Sequence, residues 1–174
     1  MNPVGLKVGI AVLSWSGFVM DRLAAWLLSN ANEDIKITFI RARPVRCARN
    51  NVHRWALNAG LDVLVTLNGD VCPEDSLNDL LSPWNGWDVR TLRMFGEHGE
   101  YHQNDFVLGC AIFKETALAA LGPKPLGPGV FTDDGCSEVS CDDTDLMSLV
   151  AGAGLQIERL DKRVIHRDLK DMKD

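Results

Sequence analysis

The chain has no cysteine pair at metal-binding or redox spacing: Cys47, Cys72, Cys110, Cys136 and Cys141 are scattered and odd in number. A zinc site or disulfide framework is therefore not expected, and reduced thiols are the default, although Cys136 and Cys141 could pair. No apolar run approaches the ~20 residues of a membrane span. The start, Met1-Asn-Pro-Val-Gly5, carries neither a charged leader nor a cleavage pattern. These absences predict a soluble, cytoplasmic protein. Basic charge is also in deficit. A net charge of −6 leaves no domain-wide positive surface, so no nucleic-acid partner is expected. Without an internal repeat or a linker, 174 residues read as one domain, long enough to bury a substantial core.

What is present is a regular alternation of apolar runs and amphipathic segments. Leu6–Leu13 is a run of Val, Ile and Leu that reads as a buried strand, closed by the turn Ser14-Trp-Ser-Gly17. Phe18–Ser29 carries Val19, Leu23, Trp26 and Leu27 at helical spacing. Ile35–Ile40 is a second strand. A basic loop, 41–46, leads into a helix over Cys47–Asn58 with two faces. Ala48, Val52, Trp55, Ala56 and Ala59 fall on the core side, and Arg46, Arg49, Asn50 and His53 on another. Gly60 stops it. Leu61–Leu67 is the third strand, completing a β-α-β-α-β unit that implies parallel strands and right-handed crossovers. Beyond it the sequence predicts a short helix over Pro73–Leu81, a turn with Trp84 and Trp87, and a strand over Asp88–Phe95. A polar loop over Gly96–Asp105 follows, then a strand over Phe106–Phe113 and a helix over Lys114–Leu121. Gly122–Cys141 is a long loop of the kind that is functional or disordered. A last helix starts at 142–144 and is followed by a strand, Leu155–Leu160, and an extended tail, Val164–His166.

Several residues could carry chemistry. Asn68 and Asp70 end the third strand, at the edge where open α/β sheets bind ligands, and their oxygens suit Mg²⁺ or Mn²⁺. The plain alternative is a turn in which both bond their own backbone. Asp142, Asp143 and Asp145 crowd a helix start, where one acid is an ordinary cap. Three exceed what a cap requires, and one could serve as a general base. Arg43, Arg46, Arg49 and Asn50 could meet a phosphate, or simply form a solvated face. Trp84 and Trp87 could stack on a sugar or fill the edge of the core. His166 is a lone histidine that matters only if the chain brings it to Asp70.

The order of these segments resembles the GT-A-fold glycosyltransferases, family 2 in particular. Arg49-Asn50, a helix, and a strand ending Asn68-Gly-Asp70-Val-Cys-Pro73 match that family's "R-N" segment and its acidic D-x-D-type motif followed by proline. Phe106-Val-Leu-Gly-Cys-Ala-Ile-Phe-Lys114 resembles its strand with a glycine near the sugar. Asp142-Asp-Thr-Asp-Leu146, Ala151-Gly-Ala-Gly154 and His166 resemble its E-D-x-D-L, G and H ending. The resemblance implies a single GT-A-like, Rossmann-like α/β domain with a mostly parallel central sheet flanked by helices. Residues 1–82 would form the nucleotide-binding half and 83–174 the sugar and acceptor half. It implies a glycosyltransferase of the hexosyltransferase type, with a UDP- or GDP-linked sugar as donor and an unidentified hydroxyl as acceptor. Asp70 and His166 would hold a divalent metal (Mn²⁺ or Mg²⁺). Ser14, Trp15, Arg43, Arg49, Asn50, Asn68 and Gly109 would contact the nucleotide sugar. Asp143 would be the base, with Asp142 in the place of the family's Glu. Asn68 stands where the family has its first acid. A non-catalytic nucleotide-sugar binding module is the alternative, and a sugar nucleotidyltransferase a more distant one. The loop 122–141 would serve as acceptor loop or lid.

Overall fold

The computed structural model describes residues 5–14, 17–41, 45–96, 99–101, 109–127 and 142–166. One sheet runs through the whole molecule. It begins with β1 (Val8–Ser14), followed by α1 (Asp21–Asn30), β2 (Ile35–Arg41), α2 (Val45–Asn58) and β3 (Val63–Asn68). Next come β4 (Val71–Pro73), α3 (Leu77–Leu81), β5 (Val89–Gly96) and β6 (Gly99–Tyr101). The chain continues with β7 (Cys110–Lys114), α4 (Glu115–Leu121), α5 (Asp142–Gly152) and β8 (Ile157–His166). The strand order is β2-β1-β3-β7-β5-β8-β4, with β6 hydrogen-bonded to β5. Strands β1, β2, β3, β5 and β8 run in one direction, and β4, β6 and β7 in the other. The expected α/β fold with a mostly parallel sheet is therefore present.

Alternation along the strands divides the core into two layers. Val8, Ile10 and Val12 of β1, with Val63, Val65 and Leu67 of β3, face Leu23, Trp26 and Leu27 of α1 and the buried leucines of α3. Ala11, Leu13 and Leu64 point the other way, onto Ala48, Val52 and Ala56 of α2, Ala117 and Leu118 of α4, and Leu146 and Val150 of α5. Both faces are covered, which is why β1 and β3 read as continuous apolar runs. Gly9 sits under α2. A Cβ built there would lie 2.2 Å from Leu61 Cδ1 and 2.8 Å from Trp55 Cη2, so only glycine admits this close approach.

Four expectations change. The helix predicted over Pro73–Leu81 is instead the short strand β4 followed by the single turn of α3. Ser76 caps that turn, its Oγ accepting from the Asp79 amide at 3.3 Å. The two predicted segments at 155–160 and 164–166 are one strand, β8, which pairs in parallel with β5 and antiparallel with β4. An irregularity between Leu92 and Arg93 absorbs the extra residues Asp161 and Lys162. The predicted polar loop over 96–105 contains the hairpin partner β6. Finally, the polar face of α2 is not solvated: Arg46, Arg49 and His53 are all buried. Residues 106–108 of the predicted strand, and Cys136 and Cys141, lie outside the described residues.

Candidate functional site

The carboxyl ends of β1 and β3 form a tight edge. Leu13 and Asn68 are register partners, the Asn68 amide donates to the Gly109 carbonyl at 2.8 Å, and the Gly69 amide donates to the Leu13 carbonyl at 2.8 Å. A Cβ on Gly69 would lie 3.0 Å from the Phe18 carbonyl oxygen and 3.3 Å from Ser14 Cβ, so glycine lets the chain turn here beside β1. Ser14 is buried, and its hydroxyl donates to the Phe18 carbonyl at 2.6 Å while accepting from the Gly17 amide at 2.9 Å. Three residues singled out in the sequence, Ser14, Asn68 and Gly109, thus meet at one edge. The chain then turns through Gly69-Asp70 into β4, where Val71 is the register partner of His166. The backbone accordingly brings position 70 within one residue of the partner of position 166, although 96 positions separate them in sequence. The side chain of His166 lies outside the described residues, as do Trp15 and Arg43.

The second half of the site is built on α2. Arg49 and His53, one turn apart, lie among Leu13, Val52, Thr66, Phe113 and Leu146, with no space there for a water molecule. Arg49 is 5% exposed and His53 1%. The His53 ring stands edge-on to Phe113, with 5.2 Å between centroids, and its Nδ1 has no hydrogen-bond partner. Burial, and then the neighbouring Arg49 guanidinium, push the His53 pKa down to about 4, so the ring is neutral at pH 7. Asn50 binds the backbone of Leu126 twice: its Nδ2 donates to the carbonyl at 2.8 Å and its Oδ1 accepts from the amide at 3.0 Å. Arg46 forms an ion pair with Asp145 in the first turn of α5. Asp142 and Asp143 occupy the start of that same helix, and their side chains lie outside the described residues.

Among the described residues no group of three or more His, Cys, Asp or Glu side chains could hold a metal ion. The imidazole of His166 lies outside those residues. The donors at the edge itself are an amide oxygen at Asn68 and a carboxylate at Asp70, the hard oxygen chemistry that Mg²⁺ and Mn²⁺ take.

The tryptophans lie elsewhere. Register puts Lys114 beside Val63, at the opposite end of β3 from Asn68. There the Lys114 ammonium lies 4.4 Å from the Trp84 ring centroid and 4.2 Å from that of Trp87. The Arg90 guanidinium lies 4.2 Å from the Trp87 centroid. Arg90 is fully buried, and it donates to the Leu80 carbonyl at 3.0 Å, to the Pro83 carbonyl and to Glu158. These tryptophans fill the edge of the core and stack on the protein's own cations. Arg90 went unnoticed in the sequence. Its only signal there is a charge within the apolar strand Val89-Arg90-Thr91-Leu92.

No protein-family description matches the chain, and no curated protein does. Solved structures do resemble it. Protein A197 from STIV superposes with a TM-score of 0.62 at 17% identity, covering 92% of this chain and 85% of its own. A candidate nucleotide-diphospho-sugar transferase from Desulfovibrio desulfuricans G20 gives 0.51 at 13% identity, over 97% of this chain and 83% of its own. A mutant Drosophila β-1,4-galactosyltransferase 7, in complex with manganese, UDP-Gal and xylobiose, gives 0.51 at 13% identity, over 87% of this chain and 64% of its own. Among the described residues no helix is long and apolar enough to cross a membrane. At these identities the likeness concerns architecture, and the architecture is a single α/β domain with the GT-A-like fold found among nucleotide-sugar transferases.

Proposed function

We propose that the chain is a metal-dependent glycosyltransferase that moves a hexose from a UDP- or GDP-linked donor to an acceptor hydroxyl. The observation that carries this reading is the β3–β4 turn, whose register draws Asp70 toward His166 beside the edge formed by Ser14, Asn68 and Gly109. Asp70 and His166, with Asn68 close by, would hold Mn²⁺ or Mg²⁺, which when bound supplies positive charge to the departing diphosphate. Arg49 and Arg43 would face the nucleotide's phosphates, and Trp15 its base. Asp143, with Asp142 beside it, starts the helix that α2 holds through Asp145. Its carboxylate would take the proton of the acceptor hydroxyl. The acceptor oxygen then bonds to the anomeric carbon as the bond from that carbon to the diphosphate breaks, releasing the nucleoside diphosphate. The unpaired thiols Cys72 and Cys110 fit a reducing, cytoplasmic setting.

Asn68 favours a second reading, a binding module that holds the nucleotide sugar without turning it over, because an amide contributes no charge to a metal. Calorimetry and turnover assays with UDP-glucose and GDP-mannose, with and without Mn²⁺, separate the two. Transfer predicts Mn²⁺-dependent binding that Asp70→Ala abolishes, together with donor cleavage that Asp143→Asn removes while binding persists. Metal-dependent binding with no cleavage by the wild-type protein selects the binding module. Binding undiminished in Asp70→Ala without metal rules out the metal assignment.

A further inference from the structure

Arg46 is in an unfavourable place for a cation. It lies in the first turn of α2, where the helix dipole disfavours positive charge, and no acidic residue shares that turn. Its side chain is only 7% exposed, so water does little to offset the cost. One group that meets it is Asp145, 99 residues away and itself in the first turn of α5, where a carboxylate is favoured. One helical turn further along α2, Asn50 grips both backbone groups of Leu126. A helix of the first half of the chain therefore fastens the second half at two points, 126 and 145. Leu146, next to Asp145, packs under the same helix against Val52.

We propose that Arg46 is a positioning residue: through Asp145 it fixes where the first turn of α5, and with it Asp143, stands relative to the edge at Asn68 and Asp70. Asn50 is the second anchor of the same frame. The activity arm of the inference rests on the transfer reading above, and the arm that measures local order does not. A single residue, Thr144, separates Asp143 from Asp145, so a turn that loosens or shifts displaces the carboxylate directly. A displacement near 1 Å at a reacting group can lower a rate by about 100-fold.

The test uses Arg46→Met, Asp145→Asn, their double variant and the exchanged pair Arg46→Asp/Asp145→Arg. Asp145 is 42% exposed, so Asp145→Asn disturbs packing less than a change at buried Arg46, and far-UV circular dichroism checks that each variant folds. Each protein is assayed with whichever of UDP-glucose and GDP-mannose the wild type cleaves in Mn²⁺. Each single variant should lose about 10- to 100-fold in kcat, with KM for the donor within about twofold. The double variant should be no worse than the worse single one, and the exchanged pair should recover part of the loss. Single variants within twofold of wild type, or losses that multiply in the double variant, would overturn the proposal. If the wild type cleaves neither donor, amide hydrogen exchange alone decides the positioning role. Exchange over 142–146 that is about tenfold or more faster in Asp145→Asn sustains the positioning role. Unchanged exchange refutes it.

Discussion

His53 should make the protein acid-sensitive between pH 6.5 and about 4. The ring is 1% exposed, with its Nδ1 unpartnered and the Arg49 guanidinium beside it. A proton is therefore held less well in the folded state, at about 4, than at the ordinary value of 6.5 expected in the unfolded chain. Above pH 6.5 neither state is protonated at this site and nothing is lost. As pH falls from 6.5 toward 4 the unfolded chain takes up a proton that the native state refuses, so stability falls. At about 1.4 kcal/mol per pKa unit, the full loss approaches roughly 3 kcal/mol near pH 4 and is about 2 kcal/mol at pH 5. Among the described residues, the lowered carboxylates Asp79 and Asp88 start from 3.8 and act below this window. Urea unfolding at pH 7.5, 6.5, 5.5 and 5.0, compared between wild type and His53→Gln, isolates the effect from the other three histidines. With an m-value near 2 kcal/mol/M, the wild-type midpoint should drop by about 1 M between pH 7.5 and 5, and that of the variant by clearly less. Parallel pH dependence in the two proteins would show that His53 charges freely in the folded state, and the reasoning from burial would be wrong.

Other perturbations follow from the packing. Gly9→Ala forces a methyl into Leu61 and Trp55, and should lower unfolding stability by about 1–3 kcal/mol in urea titration. Arg90→Ala leaves the Leu80 carbonyl without the Arg90 donor, strips the same donor from the Pro83 carbonyl, which keeps the Trp87 Nε1–H, and opens a void beside Trp87. A loss of about 3 kcal/mol or more is expected by the same measurement. Ser76→Ala removes the cap of α3, and thermal unfolding should report a loss of about 1 kcal/mol.

The residues of the first half were legible because their pattern is local. The apolar runs of β1 and β3 and the helical spacing of α1 need no distant partner to be recognised. They fix a β-α-β-α-β unit whose carboxyl edge carries Asn68 and Asp70. Gly60 announced the end of α2. The period of α2 also separated Arg46, Arg49, Asn50 and His53 from its apolar face.

Sequence alone could not say what would cover that second face. Its burial depends on β7 entering the sheet antiparallel beside β3, and on α5 and Leu126 arriving from more than 70 residues away. The same holds for β4, a three-residue strand that exists because β8 is there to pair with it. Periodicity measures which residues share a side of one element. Which element comes to meet that side is a matter of chain topology, and so the ion pair of Arg46, the buried base of His53 and the neighbourhood of position 166 appear only in three dimensions.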